Sequence, residues 1–439
     1  MKQIRALAAA LLAAGLLSTA TGCSFSGGEA LYCLPDASEG YYDLQDAFSQ
    51  VTDLGYDYLS PVSGSHQEPA ELIDLTGDGT DEAVAFFSGS DGSVIACIFT
   101  EADGSYQLTA QLSLAGTGVN SAEYSDLDGN GTLELLLCCS VGDAAPQVLQ
   151  VFSCDSGEAL LEVVCSRYEL MAPDETGMTD IICINSGATS AEAVRFSARS
   201  GSLTADGKLR LSGTLADLLQ VACGTLADGK SALLVSFSEG DGLVTDVLTD
   251  VDSCFTAVTT ADDSLHTPAL DGTLLYPDDR TEDGLTEFPV LKALPAANTG
   301  ATAQQLVCWE HLDSSGKMTR CSTVYTSPGS GWELTVPDIW ADMICAQRNS
   351  IAEDDCLVGS VSFYRTDADG QAGEAQLTVY RIIGEGGQQY AEAQGLTVLY
   401  SDSDSLTAVW INDGAESWAG SMNLADVSAN LRLTGSNET

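Results

Sequence analysis

Oxygen-bearing side chains recur at alternate positions of a nine-residue stretch, a spacing suited to holding a hard cation. The stretch reads Asp126-Leu-Asp-Gly-Asn-Gly-Thr-Leu-Glu134 and, earlier, Asp74-Leu-Thr-Gly-Asp-Gly-Thr-Asp-Glu82. Positions 1, 3, 5 and 9 carry carboxylate, amide or hydroxyl oxygens. A tight turn gathers them on one side, and the glycine at position 6, Gly79 or Gly131, supplies the positive φ that such a turn needs. Calcium is the ion whose oxygen preference fits this set. The expected ligands are Asp74, Thr76, Asp78 and Glu82 in one copy, and Asp126, Asp128, Asn130 and Glu134 in the other. The position-7 carbonyls of Thr80 and Thr132 complete them. A third copy, Asp279 to Glu287, predicts Asp279, Thr281, Asp283 and Glu287 with the carbonyl of Leu285.

The segment after each loop decides the fold that carries it. Ala83-Val-Ala-Phe-Phe87 and Leu135-Leu-Leu-Cys-Cys139 are short apolar runs bounded by turn residues, which read as strands. An EF-hand would place a helix there and an acid at position 12, where this chain has Ala85 and Leu137. Loop first positions fall at 74, 126, 172, 224 and 279, a period near 50 residues that signals a repeat architecture. The copy from Ala172 keeps Asp174, Gly177 and Asp180, and the copy from Gly224 keeps the Asp228-Gly229 turn. Both look like loops that kept the bend and lost the ion. Four short strands and their turns account for about fifty residues, the content of one propeller blade. The expected fold is therefore all-β: a β-propeller of six or seven blades, with a short N-terminal helix and a small C-terminal strand-plus-helix region.

The Asp-x-Asp-Gly-Asn-Gly-x-x-Glu loop followed by an apolar strand resembles the FG-GAP/VCBS-type calcium repeats of integrin-alpha-like β-propellers, in the form found in Firmicutes lipoproteins. The resemblance covers roughly residues 66 to 290, and the chain lacks the Phe-Gly and Gly-Ala-Pro punctuation of the integrin pattern. It implies a calcium-bound propeller at the cell surface.

The remaining segments are read from local pattern. Lys2 and Arg5, an apolar stretch from Ala6 to Leu17 and the junction Gly22-Cys23 predict an export signal over 1–22, with lipidation at Cys23. Residues 23–35 form the lipidated end and tether, and 36–65 the N-terminal helical segment. In that segment Leu44, Ala47, Phe48 and Val51 have helical spacing, Asp43 is the expected N-cap and Gly55 the stop. The blades occupy 66–350, and 351–439 is a C-terminal α+β cap or a final blade. Its closing helix has Leu424, Val427 and Leu431 on one face and a capping arrangement of Asn423 with Asp426. Trp309, Trp332 and Trp340 cluster in one meander, either as core or as a carbohydrate platform.

Composition narrows the function. With 16 Lys and Arg against 64 Asp and Glu, the formal charge of −48 repels phosphate backbones, so nucleic acid is excluded as a partner. Several of the fourteen cysteines, Cys97, Cys138, Cys139, Cys183, Cys223, Cys308 and Cys345, sit in apolar strand-like runs as small hydrophobes. A Cys154–Cys165 bridge stays open, and the spacing of the three histidines shows no zinc pattern. No G-x-S-x-G, H-E-x-x-H or Walker loop occurs. The expectation is a monomeric binding or scaffold module outside the cytoplasm, tied to the bacterial membrane only by its lipid and engaging a surface protein or glycan. A polysaccharide-active hydrolase or lyase on the same scaffold is the alternative.

Overall fold

The computed structural model describes residues 39–142, 146–171, 177–198, 202–259, 265–298, 302–353, 355–367, 370–414 and 417–434. The signal segment, Cys23 and Asp174 lie outside them.

The second strand of each repeat explains the architecture. In Glu82–Gly89, Val84 and Phe86 enter one apolar cluster while Ala83, Ala85 and Phe87 enter another. In Glu134–Ser140, Leu135 and Leu137 face back toward the first sheet and Leu136 faces forward to the next. The same alternation divides Ile182 and Ile184 from Ile181 and Cys183. Side chains alternate across a strand, so a strand buried on both faces must be apolar throughout. Each inner sheet is therefore sandwiched between two neighbouring sheets, and each end sheet between one neighbour and a helix.

Among the described residues six antiparallel sheets result, and the fold is all-β and propeller-like. In the first four, the strands Ala70–Ile73, Gly118–Ser125, Arg167–Met171 and Leu218–Thr225 each pair with the strand that follows a copy of the loop sequence, and in the first sheet Tyr56–Tyr58 precedes them. In the fifth sheet that opening strand has shrunk to a single bridge between Asp278 and Glu287. The sixth sheet runs from Ile344–Glu353 to Ser405–Ile411. The domain boundary expected near 350 thus falls inside a strand, because Ile344 and Ala346 are already committed to the core between the fifth and sixth sheets.

The ends of the array are covered by helices. α1 (Glu39–Thr52) lays Ala47, Phe48 and Val51 on the outer face of the first sheet. It starts four residues before Asp43, which is therefore not its N-cap, and it stops as expected at Gly55, where φ is +92°. α2 (Trp340–Met343) leads into the sixth sheet, whose outer face is covered by α3 (Gly387–Ala393) through Ala391. Among the described residues no apolar cluster joins the first sheet to the sixth. α4 (Leu424–Asn430) has the expected capping box between Asn423 and Asp426, and the strand after it, Leu431–Leu433, returns to the edge of the fifth sheet. Val427 and Leu431 are buried, while Leu424 is exposed.

Trp309, Trp332 and Trp340 are all buried, so they form core and offer no sugar platform. Cys154 and Cys165 are separate buried thiols, and Cys223 is exposed on its strand rather than buried in it.

Candidate functional site

The three acidic loops share one bonding pattern. The first aspartate accepts backbone amides through both oxygens: Asp74 from Gly77, Asp78 and Gly79, and Asp126 from Gly129, Asn130 and Gly131. Asp279 does the same with Asp283 and Gly284. The position-5 side chains of Asp78, Asn130 and Asp283 accept the position-7 amides of Thr80, Thr132 and Leu285. The closing glutamate turns back to the amide at position 2, as Glu82 to Leu75 at 3.0 Å, Glu134 to Leu127 at 2.9 Å and Glu287 to Arg280 at 2.6 Å. Position 6 is left-handed as the motif requires, with φ of +87°, +88° and +85° at Gly79, Gly131 and Gly284. The degraded copies keep this bend at Gly177 and Gly229, with φ of +83° and +82°.

Position 4 is also left-handed, at Gly77, Gly129 and Glu282. The motif hid that requirement because two glycines met it silently. At Glu282, with φ of +57°, a side chain occupies a conformation that costs roughly 1–2 kcal/mol.

Convergence differs among the loops. Asp126, Asp128 and Glu134 place one oxygen each within 4.8 Å of the others, as do Asp279, Asp283 and Glu287. Asp74, Asp78 and Glu82 form no such group among the described residues. Thr76 is exposed, and its amide faces Glu82; Thr281 donates its hydroxyl to Glu287. The second and third oxygen sets fit a hard dication. Burial pushes Glu134 up to about 7 against the pull of its Leu127 hydrogen bond, and Asp128 and Asp126 push the same way. A cation among these oxygens would offset that repulsion.

The loops also join sheets. The Leu133 amide of the second loop donates to the Leu75 carbonyl of the first at 2.8 Å. A Cβ on Gly77 would lie 2.8 Å from the Gly131 carbonyl oxygen, so only glycine allows this approach. Leu75 and Leu127 sink into the cores between sheets. Thr286 of the third acidic loop donates its amide to Thr225 of the fourth sheet at 2.8 Å.

A separate polar cavity of about 870 Å³ is lined by the opening strands of the second and third sheets, through Asn120, Ser121, Glu123, Arg167, Tyr168 and Glu169. Arg167 pairs with Glu169 at 2.8 Å, and Ser121 shares a hydrogen bond with Tyr168. Burial raises the Glu123 carboxyl, opposed by His66 and supported by the charge of Glu169. Sequence reasoning missed this site, because its residues come from different repeats and match no motif.

No family model matches the chain, and no curated protein matches it. Solved structures give distant likenesses. A periplasmic gluconolactonase of Pseudomonas aeruginosa is 13% identical, over 73% of this chain and 87% of that one, with a TM-score of 0.27. A rhamnogalacturonan lyase of Bacillus licheniformis is 16% identical, over 73% and 58%, at 0.31. The SREBP–SCAP binding domains of fission yeast are 11% identical, over 74% and 76%, at 0.28. Likenesses at such scores say nothing about what this chain does, and the propeller-like arrangement rests on its own six sheets.

Proposed function

We propose that the protein is a surface-anchored binding or scaffold module, stiffened by calcium in the manner of FG-GAP/VCBS-type repeats. The observation that carries this reading is the bonding pattern common to the three loops, which commits their acids to turns that clamp one sheet to the next. Calcium is assigned to the loops at Asp126 and Asp279 on their converged carboxylates, and to the loop at Asp74 on the bonding pattern it shares with them, its carboxylates being less closely gathered. An ion held through most of its ligand positions leaves no open place for a reacting water. The ion's work is local: it neutralises neighbouring carboxylates and fixes the entry to a strand.

The polar cavity is the place for a partner. Its amide, hydroxyl, guanidinium and carboxylate groups suit a hydroxylated ligand such as a surface glycan. A second reading, a polysaccharide-active enzyme, draws on the same cavity: Glu123 is raised by burial, while Arg167 holds Glu169, so two carboxyls sit in contrasting surroundings. Incubating the purified protein with cell-wall and plant polysaccharides separates the two. The module retains a polysaccharide and releases no fragments, whereas calcium-dependent release of soluble products, abolished in Glu123→Gln, would establish the enzyme.

Anchoring is assigned to Cys23 behind the short apolar leader. Stable attachment takes two acyl chains, so the diacylglycerol on this cysteine is required. Cys23→Ser is expected to move the protein into the medium, and retention in the membrane fraction would refute the anchor.

A further inference from the structure

The fifth sheet does something at its loop that the other sheets do not. Its register sets Glu287 directly opposite His311, so the loop's closing carboxylate and an imidazole share one face. In the second sheet the residue opposite Glu134 is Ser153. On the next strand the register slips between Trp309 and Glu310, which pair with Ser322 and Arg320 and leave Cys321 as the extra residue of a bulge. Bulges re-aim side chains. Here the thiol joins the other two groups: one donor atom each from Glu287, His311 and Cys321 lies within 4.8 Å of the others.

The imidazole supplies an independent sign that something belongs there. His311 Nε2 lies 3.4 Å from Glu287 Oε1 and 3.7 Å from Asp283 Oδ2. It is shielded from solvent and makes no hydrogen bond, one of two such side-chain atoms among the described residues. Buried polar atoms are rarely left without a partner, and an orphan nitrogen beside a thiol and a carboxylate is what a ligand set looks like without its ion.

We propose that Glu287, His311 and Cys321 bind a transition-metal dication of the zinc class, next to the loop's calcium ligands and sharing Glu287 with them. One nitrogen, one sulfur and one oxygen suit zinc or its cobalt surrogate, whereas calcium takes oxygen almost alone. Zinc bonds of about 2.0–2.3 Å require the donors to close by only about 1 Å. The carboxylate is already oriented, because Glu287 accepts the Arg280 amide at 2.6 Å and the Thr281 hydroxyl at 2.5 Å. The Cys321 thiol now donates to the Trp309 carbonyl at 3.0 Å; binding releases that proton to solvent and gives the sulfur to the metal. Linear spacing could not reveal the site, since its donors stand on three different strands. The proposal does not need the calcium reading, because two of its three donors lie outside the acidic loop.

Cobalt(II) titration of the purified protein in saturating calcium tests it. One equivalent is expected to produce an intense thiolate-to-cobalt charge-transfer band in the near ultraviolet, which zinc abolishes by displacement. Cys321→Ser removes the band, and His311→Gln weakens cobalt binding by at least about tenfold with the far-ultraviolet circular dichroism unchanged. Asp126→Asn, which cripples a calcium loop elsewhere, leaves the band intact, so the two metal readings fail separately. Absence of the band in the wild-type protein, or a band that survives Cys321→Ser, overturns the proposal.

Discussion

Arg195→Met is expected to lower the unfolding free energy by about 3–5 kcal/mol, the cost of removing one partner from a buried ion cluster. Arg195 is 1% exposed on the third sheet and gathers carboxylates from two sheets. Its Nε and Nη2 grip Asp206 at 2.7 and 3.1 Å, and its Nη1 donates to Asp250 of the fourth sheet at 2.5 Å. Asp180, also buried, is 3.7 Å away, and the guanidinium lies over the Phe255 ring. Burial alone would lower the arginine, but its hydrogen bonds to Asp206 and Asp250 outweigh that and hold it charged. Methionine fills the volume while leaving the carboxylates facing one another. Urea denaturation measures the loss, and Arg195→Lys should lie in between, since it keeps the charge without the fork. A midpoint unchanged in Arg195→Met would show that the cluster does not hold the two sheets together.

Phe48→Ala is expected to cost about 3–5 kcal/mol, the usual range for truncating a buried aromatic. Phe48 is the centre of the contact between α1 and the first sheet, with ring centroids 5.0 Å from Phe99, 6.4 Å from Phe87 and 6.1 Å from Tyr58. Terminal units of a stacked array need a covering element to stay soluble. Loosening α1 would uncover Ala83, Ala85 and Phe87, so the variant should also self-associate in a concentration-dependent way. Light scattering beside thermal unfolding checks both effects. A variant as stable and monodisperse as wild type would remove the helix's role as an end cover.

The range of each interaction decides how much of this could be read from the residues. The loops, their position-6 glycines, the strands after them, α1 and the capping box of α4 depend on neighbours within a few residues, and all are present. Arg195 and Asp250 stand on separate sheets, and His311 meets Cys321 through a bulge, so register and stacking had to be known before either cluster could be seen. Local pattern also misled where packing overrode it. Asp43 has the right chemistry for a helix cap, yet the helix begins before it. Cys223 lies in an apolar run, yet its strand is on the edge of its sheet and leaves the residue exposed.

Calcium binding is the central claim, and differential scanning calorimetry of the purified protein reaches it directly. Extracellular calcium modules bind at about 10⁻⁴ to 10⁻³ M. At roughly tenfold excess over that constant, each occupied loop adds about 1.4 kcal/mol to the folded state. The unfolding temperature should therefore rise when calcium replaces chelator, and the rise should shrink in the variant carrying Asp126→Asn with Asp128→Asn, where a well-converged loop loses two of its three carboxylates. An unfolding temperature that is the same in calcium and in chelator would contradict the calcium-stiffened module.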